Sequence, residues 1–214
     1  LGGIAVSTAE TAFLCEAAGY EVTIVETVGV GQSEVQVAEM VDAVLLLLSP
    51  AGGDDIQGMK KGIVEHADVI AINKSDGDLS SQARRIASDY QHAVNILHPK
   101  YPFWTPKVLR CSSLRKQSTK YEVDSTIREV WNTIQEFHDG LQNSGVLEKR
   151  RVFQRDKLMW AEVQREVLSL INHPDEDLSS EIKRVSKSIA KNKILPRHGA
   201  RAIVSALIGH EPHW

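Results

Sequence analysis

Apolar residues in the first half of the chain fall into short runs, each bounded by polar or glycine-bearing turns. Residues 20–25, 43–48, 69–72 and 107–111 read as strands, the second and third apolar enough to be buried on both faces. Between them the spacing turns helical. Ser7-Thr8-Ala9-Glu10 has the spacing of a capping box ahead of a helix carrying Ala12, Phe13, Ala17 and Ala18, with Gly19 placed to end it. Further helices are predicted over about 33–40, 59–66 and 81–97. Strands alternating with helices imply βαβ units and a parallel sheet, whose ligand sites lie at the C-terminal ends of the strands.

The pattern changes after about residue 124. Ile127, Val130, Trp131, Ile134, Phe137 and Leu141 form one apolar helix stripe, ended by Gly145. A second helix covers about 148–171, with Leu158, Val163, Val167, Leu170 and Ile171 apolar, and shorter helices follow near 181–190 and 200–208. The fold class expected is α/β: a parallel-sheet domain over 1–123, then an α-helical C-terminal region over 124–214. The helical tail has more apolar stripes than it can bury by itself. It must pack on the sheet, on a partner, or on a second copy.

Composition narrows the function classes. The chain has 214 residues, 42% hydrophobic and 25% charged, with a formal net charge of −3. That balance argues against nucleic acid or an anionic membrane as partner, since both require a basic face. The longest apolar run, 43–48, is far below the ~20 residues a bilayer requires. Two cysteines, Cys15 and Cys111, supply neither a disulfide framework nor metal-ligand spacing and read as packing thiols. The chain opens on Leu1, and no basic or apolar leader pattern is visible there. His210-Glu211-Pro212-His213 could suggest a metal, but a solvated terminal tail accounts for it as well.

Four segments carry chemistry, and each follows a strand. Asn73-Lys74-Ser75-Asp76 has the N-K-x-D arrangement that reads guanine. A carboxylate at Asp76 can accept from guanine N1–H and from the 2-amino group, which adenine cannot match; Lys74 can lay its stem along the base, and Asn73 can brace neighbouring loops. The same four residues could be a polar turn with Asp76 as a helix cap. Glu26-Thr27-Val28-Gly29 offers a carboxylate for a magnesium-bound or attacking water and, at Gly29, an amide for a γ-phosphate; a simple glycine turn is the alternative. Residues 50–61, with Gly53, Asp54, Asp55, Gln57, Lys60 and Lys61, form a glycine-rich loop able to move. The small-residue turn Cys111-Ser112-Ser113 could bring amides to guanine O6. The order of the four is that of a GTPase.

Leu1-Gly2-Gly3, the string from Glu26 through Gly31 to Glu34 (E-T-V-G-V-G-Q-S-E), residues 50–61 and Asn73-Lys74-Ser75-Asp76-Gly77-Asp78-Leu79 resemble the GTPase chaperones of methylmalonyl-CoA mutase. This SIMIBI-class P-loop family includes the mitochondrial methylmalonic aciduria type A proteins and bacterial ArgK/MeaB-type counterparts. The resemblance implies GTP or GDP and Mg²⁺ as ligands, with Glu26 reaching the metal through water. It also implies a switch loop at 50–61, a homodimer built by the C-terminal helices, and methylmalonyl-CoA mutase as partner. The expected role is to gate adenosylcobalamin loading and protection of the mutase, cobalamin being held by the partners, for no D-x-H-x-x-G string occurs. The expected location is the mitochondrial matrix or the bacterial cytoplasm. The chain departs from the family in carrying no G-x-x-x-x-G-K-[ST] loop, which is expected upstream of residue 1, and in having no arginine near Val6. These 214 residues alone are therefore expected not to hydrolyse GTP. Two other readings stand beside this one: a related metal-delivery GTPase and a non-catalytic interaction module.

Overall fold

A computed structural model describes residues 3–27, 37–50, 61–113 and 125–209. In chain order it contains α1 (Gly3–Ala17), β1 (Leu45–Leu48), α2 (Lys61–His66), β2 (Val69–Ile72), a 3-10 turn (Gly77–Leu79), α3 (Ser80–Ile96), β3 (Lys107–Arg110), α4 (Ser125–Asn143), α5 (Val146–Asn172), α6 (Glu176–Ala190) and α7 (Pro196–Leu207). The chain divides into two compact units, 7–156 and 1–6 with 157–214.

In the first unit the three strands form one parallel sheet in the order β1-β2-β3, with Ile70 level with Leu46 and Val108. β2 is central and wholly buried. Its side chains alternate between two cores, as the period of a strand requires. Ile70 and Ile72 pack with Val64, Ala67, Ala83 and Val94 beneath α2 and α3. Val69 meets Trp104, Phe137 and Leu141, and Ala71 meets Cys111 and Val130, on the α4 side. A strand covered on both faces has no position for a polar side chain, and this is why 69–72 reads as an unbroken apolar run. On α4, Val130, Phe137 and Leu141 are buried, whereas Trp131 is 39% exposed and lies at the rim of the stripe. Gly140 lets α4 pass close to Phe103: a Cβ there would stand 2.9 Å from its ring.

At the N-terminal edge of the sheet a buried carboxylate, Asp68, fastens the strands together. It accepts from the Val44 amide (2.9 Å) and from Lys100 Nζ (3.4 Å), while its own carbonyl accepts from Trp104 Nε1 (2.9 Å). Burial pushes the Asp68 carboxyl above its ordinary value, against the pull of Lys100 and Arg150 and the Val44 amide, and burial likewise lowers the Lys100 amine. A cavity of about 340 Å³ opens beside this pair between Val64, Leu97, Lys100 and Trp104. It lies at the opposite edge of the sheet from the loops that follow β2 and β3.

The second unit is helical. Asp175 caps α6 by accepting from the Leu178 amide (2.8 Å), and Pro196 occupies the first turn of α7, where its missing N–H costs nothing. Gly199 lets α7 approach α6: a Cβ would stand 2.7 Å from Ile189 and 2.8 Å from Val185.

Four expectations are corrected. The first helix begins at Gly3, so Ser7 and Thr8 lie inside it rather than capping it. Residues 20–25 form no strand, and Val22 and Ile24 are 52% and 85% exposed. A β-branched run needs a ladder partner to become a strand, and among the described residues none pairs with it. The strand expected over 43–48 is Leu45–Leu48, at the edge of the sheet formed by the described residues and with Leu47 60% exposed, rather than buried on both faces. The penultimate helix begins at Glu176, not 181, because Asp175 caps it. Of the helix expected over 33–40, only 37–40 lies within the described residues.

Candidate functional site

The loops after β2 and β3 meet. Parallel pairing carries Ile72 and Arg110 to the same level, so residues 73–76 and 111–113 leave the sheet side by side. The pairing then continues outside the ladder. The Asn73 amide donates to the Leu48 carbonyl (2.8 Å), the Cys111 amide to that of Ile72 (2.9 Å), and the Ser75 amide to that of Cys111 (3.1 Å).

Side chains close the junction. Asn73 Oδ1 accepts from the Lys74 amide (2.8 Å) and the Ser113 amide (3.0 Å), while Asn73 Nδ2 donates to Ser113 Oγ (3.1 Å). Ser75 Oγ donates to the Cys111 carbonyl (2.9 Å). Ser112 Oγ donates to Asp76 Oδ1 (2.7 Å), a short bond of the charge-assisted kind. Lys74 takes a left-handed backbone conformation (φ 55), a cost of roughly 1–2 kcal/mol for a residue with a Cβ. The Asn73 carbonyl bond to the Lys74 amide helps to hold that conformation.

These partners bear on how the Asp76 carboxylate and the 111–113 amides are engaged. Asp76 stands at the N-cap position of Gly77–Leu79, yet its side chain makes no capping bond there; it is exposed and oriented by Ser112 instead. Ser112 thus fixes one oxygen of the Asp76 carboxylate, which stays exposed at the junction of the two loops. The amides of Cys111, Ser112 and Ser113 donate within the protein, to Ile72, to Thr126 Oγ1 (3.2 Å) and to Asn73 respectively. A contact of these amides with guanine O6 would require exchanging those partners. In the arrangement described, the turn 111–113 holds Asn73 and Asp76 in place.

Asn73, Lys74, Asp76, Cys111, Ser112 and Ser113 are thus brought together. Of the other expected positions, Glu26 is exposed outside any helix or strand, and Lys61 is the first residue of α2. Gly29, Gly53, Asp54, Asp55, Gln57 and Lys60 lie outside the described residues, as does the His210–His213 tail. Two contributors had escaped motif reading. Ser75 is the unspecified position of N-K-x-D, and Thr126 belongs to α4, whose approach no local pattern signals. Among the described residues no group of three or more His, Cys, Asp or Glu could hold a metal ion, and no helix is long and apolar enough to cross a membrane.

Residues 1–176 match the model of a family described as methylmalonyl Co-A mutase-associated GTPase MeaB. The chain is 40% identical over 210 residues to the methylmalonic aciduria type A homolog, mitochondrial, of Caenorhabditis elegans, covering 98% of this chain and 50% of that protein. It is 42% identical over 205 residues to the GTPase ArgK of Escherichia coli, covering 95% of this chain and 59% of that protein. A solved structure titled LAO/AO transport system kinase superposes with a TM-score of 0.71 at 37% identity, over 96% of this chain and 63% of that one. The chain therefore spans about half to three fifths of the length of these relatives.

Proposed function

Because the chain belongs to the family of methylmalonyl Co-A mutase-associated GTPases, we propose that the loops 73–76 and 111–113 are the guanine-reading part of a GTP-binding and GTP-hydrolysing protein. The observation that supports this most directly is the joining of the two loops at the C-terminal ends of β2 and β3, with Asp76 exposed and oriented by Ser112. Asp76 accepts from the base N1–H and 2-amino group, Lys74 lies along the base, and Asn73 ties the two loops. Glu26 acts at the Mg²⁺ side through water, Gly29 offers its amide to the γ-phosphate, and Gly53, Asp54, Asp55, Gln57, Lys60 and Lys61 belong to a switch loop. The ligands are GTP or GDP with Mg²⁺, whose charge neutralises that developing on the phosphates.

The output of hydrolysis is a change in the state of methylmalonyl-CoA mutase, gating the loading and protection of its adenosylcobalamin. Residues 1–123 belong to the G domain and 124–214 to a helical extension that supports a homodimer. Met159 and Trp160 of α5, each at least half exposed, offer apolar surface for such an association. The setting is the mitochondrial matrix or the bacterial cytoplasm; one similar protein is named mitochondrial, and another is from Escherichia coli.

The test is base choice in the intact protein. Asp76→Asn replaces a charged acceptor by an amide and costs roughly 1.5–3 kcal/mol, about 10- to 150-fold in GTP affinity, with xanthosine triphosphate then preferred. Titration with both fluorescent nucleotides reads the effect directly. Unchanged GTP affinity would sink the assignment.

A further inference from the structure

One peptide group, joining Cys111 to Ser112, is held from two directions at the loop junction. Its carbonyl oxygen accepts from the Ser75 amide (3.1 Å) and from Ser75 Oγ (2.9 Å), both in the N-K-x-D loop. Its N–H donates to Thr126 Oγ1 (3.2 Å), in the first turn of α4. The C=O and N–H of a trans peptide point in opposite directions, so the plane is fixed by Ser75 on one side and by Thr126 on the other.

Thr126 stands four residues before Val130, on the same face of α4. Val130 is buried against Cys111 and Ala71. The face of α4 that packs on the Cys111 side chain thus also accepts from the next amide, and the setting of the turn follows the docking of α4. The bond after that is Ser112 Oγ to Asp76 Oδ1 (2.7 Å). Asp76 is exposed and makes no capping bond, so among the described residues Ser112 is what orients its carboxylate. Ser112 is 8% exposed, and an amide buried there without an acceptor is costly. Loss of the threonine oxygen therefore favours a rotated 111–112 peptide over an unpaired donor. The rotation carries the Ser112 hydroxyl away from Asp76.

We infer that Thr126 is a specificity-determining positioning residue for the guanine base, fixing through the Ser112 amide the direction in which Ser112 holds the Asp76 carboxylate. This rests on the base-reading role proposed above for Asp76. Each link between Thr126 and Asp76 is a direct hydrogen bond or a bond within Ser112 itself.

The test is made in the intact protein and compares GDP with inosine diphosphate, which lacks the 2-amino group and gives Asp76 one donor fewer. Thr126→Val keeps the shape and removes the acceptor, Thr126→Ala removes it without a branched side chain, and Thr126→Ser keeps the hydroxyl. Each variant is first shown to unfold cooperatively. In Thr126→Val and Thr126→Ala the preference for GDP over inosine diphosphate should fall about fivefold, and Thr126→Ser should restore it. A residue that served the fold alone would lower both affinities alike. In a double-mutant cycle with Asp76→Asn, Thr126→Val should cost less GDP affinity than it does by itself, because the group it positions has already been changed. A wild-type preference in folded Thr126→Val and Thr126→Ala, an equal loss in Thr126→Ser, or additive losses in the cycle overturns the inference. Asp76→Asn alone separates the two levels. If it leaves GDP affinity intact, the base-site reading fails and the role of Thr126 with it. If it loses GDP affinity while the threonine variants keep the wild-type preference, the role of Thr126 fails and the base-site reading stands.

Discussion

Replacing Asp68 probes the polar fastening at the N-terminal edge of the sheet, and the outcome depends on what replaces it. In Asp68→Ala the Val44 amide loses its acceptor and Lys100 keeps only the His66 carbonyl (2.6 Å). A buried donor left unpaired costs about 1–3 kcal/mol, and removing one partner of a buried charge pair about 3–5 kcal/mol. Lys100 is 33% exposed and can turn to water, which discounts most of the charge-pair cost and leaves a total of about 3 kcal/mol at neutral pH. For a chain of this size that lowers Tm by roughly 6–12 °C. Asp68→Asn behaves differently, because the amide oxygen can still accept from Val44. The folded-state pKa of Asp68 is raised, so its protonation favours the native state. That contribution is fully present below the unfolded value and is lost as pH rises through the folded one. An asparagine does not titrate. The stability of Asp68→Asn relative to wild type should therefore improve as pH rises from below about 4 toward neutrality. Urea unfolding followed by tryptophan fluorescence at a series of pH values measures both effects. An Asp68→Ala cost below about 1 kcal/mol, or a difference between Asp68→Asn and wild type that does not change with pH, would refute the reasoning.

Phe137 is fully buried with its ring 5.2 Å from that of Trp104, so Phe137→Ala should cost about 3–5 kcal/mol, read as a shifted urea midpoint with unchanged slope. Gly199→Ala should destabilise by about 1 kcal/mol in thermal unfolding: the clash with Val185 and Ile189 exceeds the gain in helix propensity. Asp175→Ala removes the cap of α6 and should cost about 1 kcal/mol, with faster amide exchange confined to the first turn of that helix.

Sequence alone carried the βαβ order, the positions of β2 and β3, the stripe of α4 and the N-K-x-D and C-S-S turns, because each is written in local periodicity or in a short string. Buried on both faces, β2 could hold nothing but apolar residues, and so its run was legible. Residues 20–25 have the same local character and form no strand, since a strand is a relation between two segments and period-2 patterning describes only one. The same limit hid the joining of the two loops. That Ser112 orients Asp76, that Ser75 and Thr126 support the turn, and that Asn73 spends its carbonyl on two amides all follow from parallel registration of β2 with β3 and the docking of α4. Asp68 lies between α2 and β2 and belongs to none of the motifs read from the sequence. Only the tertiary structure, by bringing Val44, Lys100 and Trp104 around it, decided that it would be buried and what would hold it there.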